Sequence, residues 1–425
     1  MTRTRGRTAK HIVVVNRWPD DFARYERSID HDRHRVTYVT SRAGLQALDA
    51  VAAEEIVVLE RLDGDAVVAA ARELERRLGR FDHVIALSEF DLETGARIRA
   101  ELGVQGASPR DIRRVRDKVA MKRHVAAAGI RVPRFVPAAS AETVRGFAAE
   151  VGLPVVLKPR DSAASQGVVV AESRDELEAA LASVDLARYE CEEYIAGDVF
   201  QLDGIVAADR LLAMRPARCI NTDLAFARGE RVGSVLNDDA ELESRLRAFT
   251  ARVLAALRLH TGAFHLEVFR VPADGLPGGY DLVFLEIGAR VGGAQISYMW
   301  RDLYGVDLND AWIRLQLGET VTLPALDASS PVGGFLLVPE PPGGPWQVAA
   351  TRSLAGSIPE LYLELLPPVG TILDGRGGYD DIAGRFRFRG DSSAQVEAAI
   401  RRAMREYTFA VRPVPEPARV AAASG

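Results

Sequence analysis

The sequence predicts a mixed α/β and α+β chain that opens with a small parallel α/β domain. Three observations carry that reading. Short apolar runs alternate with helical patterns over residues 1–112, as a parallel sheet wrapped by helices requires. Beyond them, paired strand patterns joined by short polar loops flank one long amphipathic helix, which argues for antiparallel sheet. After Leu323 the chain turns rich in proline and glycine, keeps a few strand-like runs and ends in a helix.

Taken in order, His11–Asn16 (HIVVVN) is an apolar run ending in a polar residue, as a buried parallel strand would be. Val36–Thr40, Glu55–Leu59 and His83–Leu87 continue the sheet, and Asp65–Leu78 carries apolar residues at helical spacing. No glycine-rich dinucleotide fingerprint is present, so the shape alone implies no NAD. A helix is expected over Ile112–Ala128, stopped by Gly129 and Pro133. Val155–Lys158, Gly167–Ala171 and Tyr189–Glu193 read as strands around a helix at Asp175–Ala182. Phe200–Ala207 and Arg210–Ala217 suggest a hairpin. Glu241–Leu257 is an amphipathic helix, with Leu242, Leu246, Phe249, Val253, Leu254 and Leu257 on one side. Ala263–Val271 and Asp281–Gly288 suggest a second hairpin, and strands near Gly334–Val338 and Leu361–Leu366 precede a helix at Ser393–Glu406. The expected organisation is an N-terminal domain, 1–112; a central domain, 113–322, with a small subdomain at about 133–197; a C-terminal α+β domain, 323–411; and a disordered tail, 412–425.

Composition narrows the function. A formal net charge of -5 gives no sign of a nucleic-acid surface. The cysteines, Cys191 and Cys219, offer neither metal spacing nor a disulfide framework, which fits a reducing cytoplasm. No apolar run approaches the roughly 20 residues of a membrane helix, and the basic start lacks a signal-peptide pattern. Of 54 lysines and arginines, lysine occurs only at Lys10, Lys118, Lys122 and Lys158. Against such an arginine bias, a retained lysine marks a place where a compact ammonium on a flexible stem is needed, as at a phosphate. Walker-type phosphate loops, GxSxG, HExxH and CxxC are absent, which removes the usual support for kinase-like and protease-like readings.

Three stretches carry chemistry. In FHLEVF (Phe264–Phe269) and FLEIGAR (Phe284–Arg290), strand alternation puts His265 and Glu267 on one face, and Glu286, Gly288 and Arg290 on one face. Paired as a hairpin, the strands set Glu267 beside Glu286, and two such carboxylates resist ionisation unless a cation lies between them. Hard oxygens of this kind suit Mg²⁺ on nucleotide phosphates; a solvated polar strand face is the alternative. Lys158 ends PVVLK and precedes a loop of small residues, Ser162–Gly167, through which backbone amides could approach an anion; a lysine capping a strand beside a serine-rich turn fits equally. The Glu192–Ile195 stretch (EEYI) suits an adenine ring, or else an acidic surface patch.

Asp117-Lys118 at a helix start, GLPVVLKPRDSAASQGV (Gly152–Val168), EEYI and the two glutamate strands occur in an order that resembles the ATP-grasp superfamily over about residues 10–320. The resemblance implies an ATP-grasp fold, with ATP and Mg²⁺ (or Mn²⁺) as cofactors. Lys118 and Lys158 would bind phosphate, with Ser162, Ser165, Gln166 and Gly167 forming the loop over it. Glu192 would take the adenine amino group, the backbone at Glu193 and Ile195 would read the ring, and Asp198 lies one position from the family's ribose-binding acid. Glu267 and Glu286 would hold the metal, and Arg290 would stabilise reacting oxygens. Gly288 stands where many members have an asparagine ligand, and the phosphate loop is rich in serine and alanine. Both departures, with the H-x-E of His265–Glu267 and the run GARVGG, are similar to the L-amino acid ligases that make dipeptides.

The implied activity joins a carboxylate to an amine through an acyl phosphate, with small-molecule substrates, no nucleic-acid or membrane partner, and a homodimer as a family-level expectation. Gly292, Gly293 and Trp300, with Arg290, are expected at the substrate. His265 would bind substrate or accept a proton from the amine, or is a packed strand residue. The competing readings are a carboxylase activating bicarbonate and a non-catalytic nucleotide-binding protein. Gly288 and Val291-Gly292-Gly293 argue against the first, and the retained Glu267, Glu286, Lys158 and Arg290 against the second.

Overall fold

The computed structural model describes residues 9–375 and 382–414. They form two compact units. The first comprises the chain up to residue 163 with 167–216 and 239–329; the second comprises 164–166, 217–238 and the chain from 330 onward. Residues 217–238, expected within the central domain, thus group with the C-terminal segment.

In the first unit, β1 (His11–Asn16), β2 (Arg35–Ser41), β3 (Glu55–Leu59) and β4 (His83–Ala86) make a parallel sheet in the order β3-β2-β1-β4. All six residues of β1 are buried, because an inner parallel strand is covered on both faces. Val13, Val15, Val39, Val84 and Ala86 share a core with Val67, Ala71 and Leu74 of the helix Gly64–Leu78. Asp63 caps that helix through the amides of Asp65 and Ala66.

The helix expected over Ile112–Ala128 is two helices, Pro109–Arg116 and Lys118–Ala127. Asp117 breaks it. At φ -82°, ψ 106° it leaves the helical region, and its carboxylate accepts from the amides of Val119 and Ala120. Side-chain capping competes with continued helix, and the apolar spacing that crosses the break could not show it.

A small antiparallel sheet follows, built from β5 (Phe135–Pro137), β6 (Val155–Pro159), β7 (Val169–Ala171) and β8 (Tyr189–Glu193) in the order β5-β8-β6-β7. Two helices, Ala141–Val151 and Arg174–Ser183, cover it through Val144, Phe147, Leu177 and Leu181. A further sheet runs β13-β12-β9-β10, from β9 (Asp198–Ala207), β10 (Arg210–Cys219), β12 (Gly262–Pro272) and β13 (Tyr280–Gly288). The helix Ala240–Leu257 buries Leu242, Leu246, Phe249, Val253, Leu254 and Leu257, the stripe its periodicity predicts.

In the second unit, residues 217–219 pair with β11 (Val232–Leu236), which pairs with β14 (Val332–Pro339). Next come β18 (Ile382–Gly390) and β16 (Leu361–Leu365), all antiparallel. A second small sheet joins β17 (Ile372–Leu373), β15 (Trp346–Thr351) and β19 (Phe409–Pro413). The helix Ser393–Glu406 occupies the predicted residues. Arg412 and Pro413, expected in a disordered tail, instead pair with Gln347 and Trp346 in β19, where ladder hydrogen bonds satisfy their backbone. The remainder of that tail, 415–425, lies outside the described residues. Among the described residues no helix is long and apolar enough to cross a membrane.

Candidate active site

The hairpin of β12 and β13 has the register the sequence suggests: His265 faces Gly288, Leu266 faces Ile287, and Glu267 faces Glu286. A register shift follows Glu267, so the site sits where the ladder is interrupted. On the other side of β12, β9 places Asp203 opposite His265 and Gln201 opposite Glu267. Asp203 lies 2.9 Å from His265 Nδ1, and Glu267 lies 3.6 Å from His265 Nε2. Burial pulls the His265 pKa down, but Asp203 and Glu267 together outweigh it and the imidazole is pushed up to about 10. That upward shift favours the charged imidazolium over a neutral ring with a lone pair for proton abstraction.

The glutamate pair is expected to resist ionisation unless a cation lies beside it, and at Glu286 that cation is present. Burial pushes the Glu286 carboxyl up, but Lys118 and Lys158 together outweigh it and hold it at about 2. The cations are supplied by the chain itself. Lys118, first residue of its helix, sits 3.3 Å from Glu286 and donates to the carbonyl of Ser162 at 2.8 Å. Asp117 holds that helix start in place through an ion pair with Arg160.

Lys158, near the end of β6, pairs with Glu192 on β8. Lys122 lies 2.8 Å from Glu192 and also pairs with Glu190, all three side chains being buried. Burial would lower the Lys122 pKa, yet Glu192 and Glu190 raise it above the usual lysine range. Glu190, despite Lys122 and the more remote Lys158, is shifted upward by burial. Glu192 also meets desolvation, but Lys122 and Lys158 hold it below the usual range. Both oxygens of Glu192 thus face lysines.

Arg290 is oriented from the N-terminal sheet. Its Nε donates to Glu89 at 2.7 Å and its Nη1 to the carbonyl of Val291 at 3.1 Å. Gly292 is required by space: a Cβ there would lie 2.2 Å from Asp203 Oδ1 and 3.0 Å from His265 Nδ1. A Cβ on Gly293 would meet nothing within 4 Å.

Other expected positions distribute differently. Glu193 donates its amide to the Arg134 carbonyl and accepts the Arg134 amide on its side chain, each at 2.9 Å. Its amide is therefore already used within the small sheet, while Ile195 is half-buried just beyond the strand. Asp198 is not part of the cluster; it is exposed, faces Arg270 across the ladder and pairs with it. Trp300, expected at the substrate, is 1% exposed and packs edge-on against Tyr304, because the helix Ile296–Tyr304 turns that face inward. In the loop after β6, Ala164 and Ser165 take positive φ (54° and 55°) and so does Gly167 (74°), whose carbonyl accepts from Tyr189. Ser165 and Gln166 group with the second unit.

Asp203, Glu89, Arg116, Lys122 and Glu190 were missed by sequence reasoning. Only Lys122 carried a signal, as one of the few lysines in an arginine-rich chain. The others enter through strand register and through contacts between segments remote in sequence.

A family model for the ATP-grasp domain matches residues 115–294, a span that contains Lys118, Lys158, Glu192, Glu267, Glu286 and Arg290. Residues 115–294 are an ATP-grasp domain. The L-arginine-specific L-amino acid ligase of Bacillus subtilis is 22% identical over 281 residues, 61% of this chain and 64% of that enzyme. The match thus spans less than two thirds of that relative. An uncharacterized protein of Sinorhizobium fredii is 26% identical over 382 residues, 86% of this chain and 76% of its own length. Among solved structures, the L-amino acid ligase from Bacillus licheniformis superposes with a TM-score of 0.72 at 18% identity, covering 95% of this chain and 99% of that one. The biotin carboxylase domain of Hydrogenobacter thermophilus 2-oxoglutarate carboxylase, in complex with MgADP, ADP and bicarbonate, gives 0.68 at 15%, covering 95% and 91%. At these identities the likenesses establish the ATP-grasp fold.

Within the ATP-grasp domain the donor set fits a divalent cation on one condition. Among the described residues no group of three or more His, Cys, Asp or Glu side chains is placed to hold a metal unaided. Glu267 and Glu286 supply hard oxygens on facing strands, and the buried Gln201 beside Glu267 has an Oε1 without a hydrogen bond. Such a pair holds Mg²⁺ when a ligand's phosphate oxygens complete the shell.

Proposed function

We propose that the chain is an ATP-dependent carboxylate–amine ligase, joining small amino-acid-like substrates with release of ADP and phosphate. The observation that carries this reading is the convergence of Lys118, Lys158 and Arg290 on the opposed pair Glu267 and Glu286, with no nucleophilic Ser or Cys side chain paired to them among the described residues. Such a site has cations for a polyphosphate and needs no covalent enzyme intermediate. Its catalysis rests on positioning and on charge neutralisation. The alignment with the Bacillus subtilis ligase supports this reading; the fold itself is shared by ligase and carboxylase structures alike.

Lys118 and Lys158 take the phosphates, and Lys158 exchanges its Glu192 partner for phosphate oxygens as ATP binds. Glu192 and the backbone near Glu193 and Ile195 hold the adenine. Glu267 and Glu286 would hold Mg²⁺, which supplies charge neutralisation on the phosphates. The substrate carboxylate attacks the γ-phosphorus, the bond to the β-phosphate oxygen breaks, and ADP leaves. Arg290 neutralises the oxygens whose charge develops in that step. The amine then attacks the acyl carbon, an amide bond forms, one proton is lost and phosphate departs with one oxygen of the original carboxylate. The His265 imidazolium, held by Asp203, stabilises a carboxylate or phosphoryl oxygen.

The test is an ADP and phosphate release screen over pairs of amino acids, with products identified by mass spectrometry. One ¹⁸O from labelled carboxylate should appear in each phosphate released. AMP and pyrophosphate as products, or unlabelled phosphate, would overturn the mechanism. Turnover that requires bicarbonate would favour a carboxylase.

A further inference from the structure

We propose that Glu89 is a positioning residue for Arg290, and that residue 288 is glycine because the Glu89 carboxylate occupies the space of a side chain there. What Arg290 does rests on the ligase reading above; what Glu89 does to Arg290 rests on geometry.

Glu89 follows β4, beyond the carboxyl ends of the parallel strands. The chain leaves β1 for β2 on one side and returns to β4 on the other, a reversal at which open α/β sheets place functional side chains. Its oxygens are divided between two arginines: Oε2 accepts from Arg290 Nε and Oε1 from Arg116 Nη1, each at 2.7 Å. Arg116 in turn donates to the carbonyl of Asp161, in the loop after β6. Glu89 is buried, so this ion pair is shielded from solvent and keeps its direction. Arg290 Nε and Nη1 are both committed, while Nη2 carries no hydrogen bond to the protein among the described residues. The guanidinium is held by one edge and presents the other.

A Cβ at position 288 would lie 2.7 Å from Glu89 Oε2 and 3.3 Å from Arg290 Nε. Any side chain there must displace the carboxylate, the guanidinium or both. The absence of an asparagine at 288 is therefore the consequence of a carboxylate arriving from the N-terminal sheet.

The test is a double-mutant cycle on kcat and on the KM for ATP, using Glu89→Gln, Arg290→Ala and the double variant, with thermal unfolding of each. Glutamine sets a donor NH₂ where one of the two arginines now finds an accepting oxygen. Glu89→Gln is expected to lower kcat by about 10- to 100-fold, the scale of a misplaced catalytic group, with the KM for ATP changed less than about threefold. In the Arg290→Ala background the same substitution should change kcat less than about twofold. Gly288→Ala, which keeps Glu89 and its charge, should reproduce the kcat loss. Equal losses from Glu89→Gln in both backgrounds, or full kcat in Gly288→Ala, would overturn the proposal. If the wild-type chain releases no ADP with any substrate pair, the ligase reading fails on its own. The positioning role is then read from crystal structures: an Arg290 guanidinium displaced in Glu89→Gln supports it, and an unmoved one overturns it.

Discussion

Replacing Lys122 with methionine should strongly destabilise the ATP-grasp domain. The Lys122, Glu190 and Glu192 side chains are 1%, 0% and 3% exposed. Methionine keeps the apolar stem and deletes the ammonium. Glu192 retains its pair with Lys158, whereas Glu190 loses its one ion-pair partner among the described residues. Removing one partner of a buried pair costs about 3–5 kcal/mol, and the retained Lys158 and conserved packing place this case near about 3 kcal/mol. Urea unfolding followed by circular dichroism measures it. The double variant Lys122→Met/Glu190→Leu should recover most of the loss, because an apolar replacement of a buried pair is often neutral. The pH dependence has a definite sign. Burial already raises the Glu190 pKa in the intact network, and loss of Lys122 raises it further. The folded variant then binds a proton that the unfolded chain releases, so its deficit relative to wild type shrinks as pH falls from 8 toward 5. A deficit under about 1 kcal/mol, the worth of an exposed pair, or one that grows on acidification, would refute the reasoning.

Lys158→Ala is expected to lower kcat/KM for ATP by at least about 100-fold, the loss of one charge-neutralising group in phosphoryl transfer; steady-state ADP release checks this, with circular dichroism to verify the fold. Glu267→Gln and Glu286→Gln should each remove Mg²⁺-dependent turnover, and EDTA should silence the wild type. Glu286→Gln should also lower the melting temperature, since it leaves the buried Lys118 without its carboxylate; full activity in either variant would remove the hairpin from the metal assignment. Gly292→Ala should cost about 1–3 kcal/mol of stability or displace the Asp203–His265 pair, because its Cβ would approach Asp203 to 2.2 Å. Differential scanning calorimetry and kcat together distinguish those two responses.

The sequence by itself determined the elements whose signal is local. HIVVVN read as a buried parallel strand, the stripe Leu242–Leu257 as one face of a helix, and the two glutamate strands as a hairpin whose alternation sets Glu267 against Glu286. Lys118 and Lys158 were legible because a lysine-poor composition made every lysine conspicuous and the family resemblance picked out these two. The apolar period runs unbroken across Asp117 and did not show the break there, which entered only with Asp117-Lys118 as a helix start in the family resemblance. The partners of the charged groups belonged to tertiary structure alone. Asp203 reaches His265 through strand register, Glu190 meets Lys122 across a helix–sheet contact, and Glu89 meets Arg290 from 201 residues away. Spacing in sequence encodes which side chains share a face. It does not encode which remote carboxylate neutralises a given cation. That depends on how sheets pack, and here it decides that Glu286 is ionised, that Glu192 lies between two lysines and that Trp300 belongs to the core.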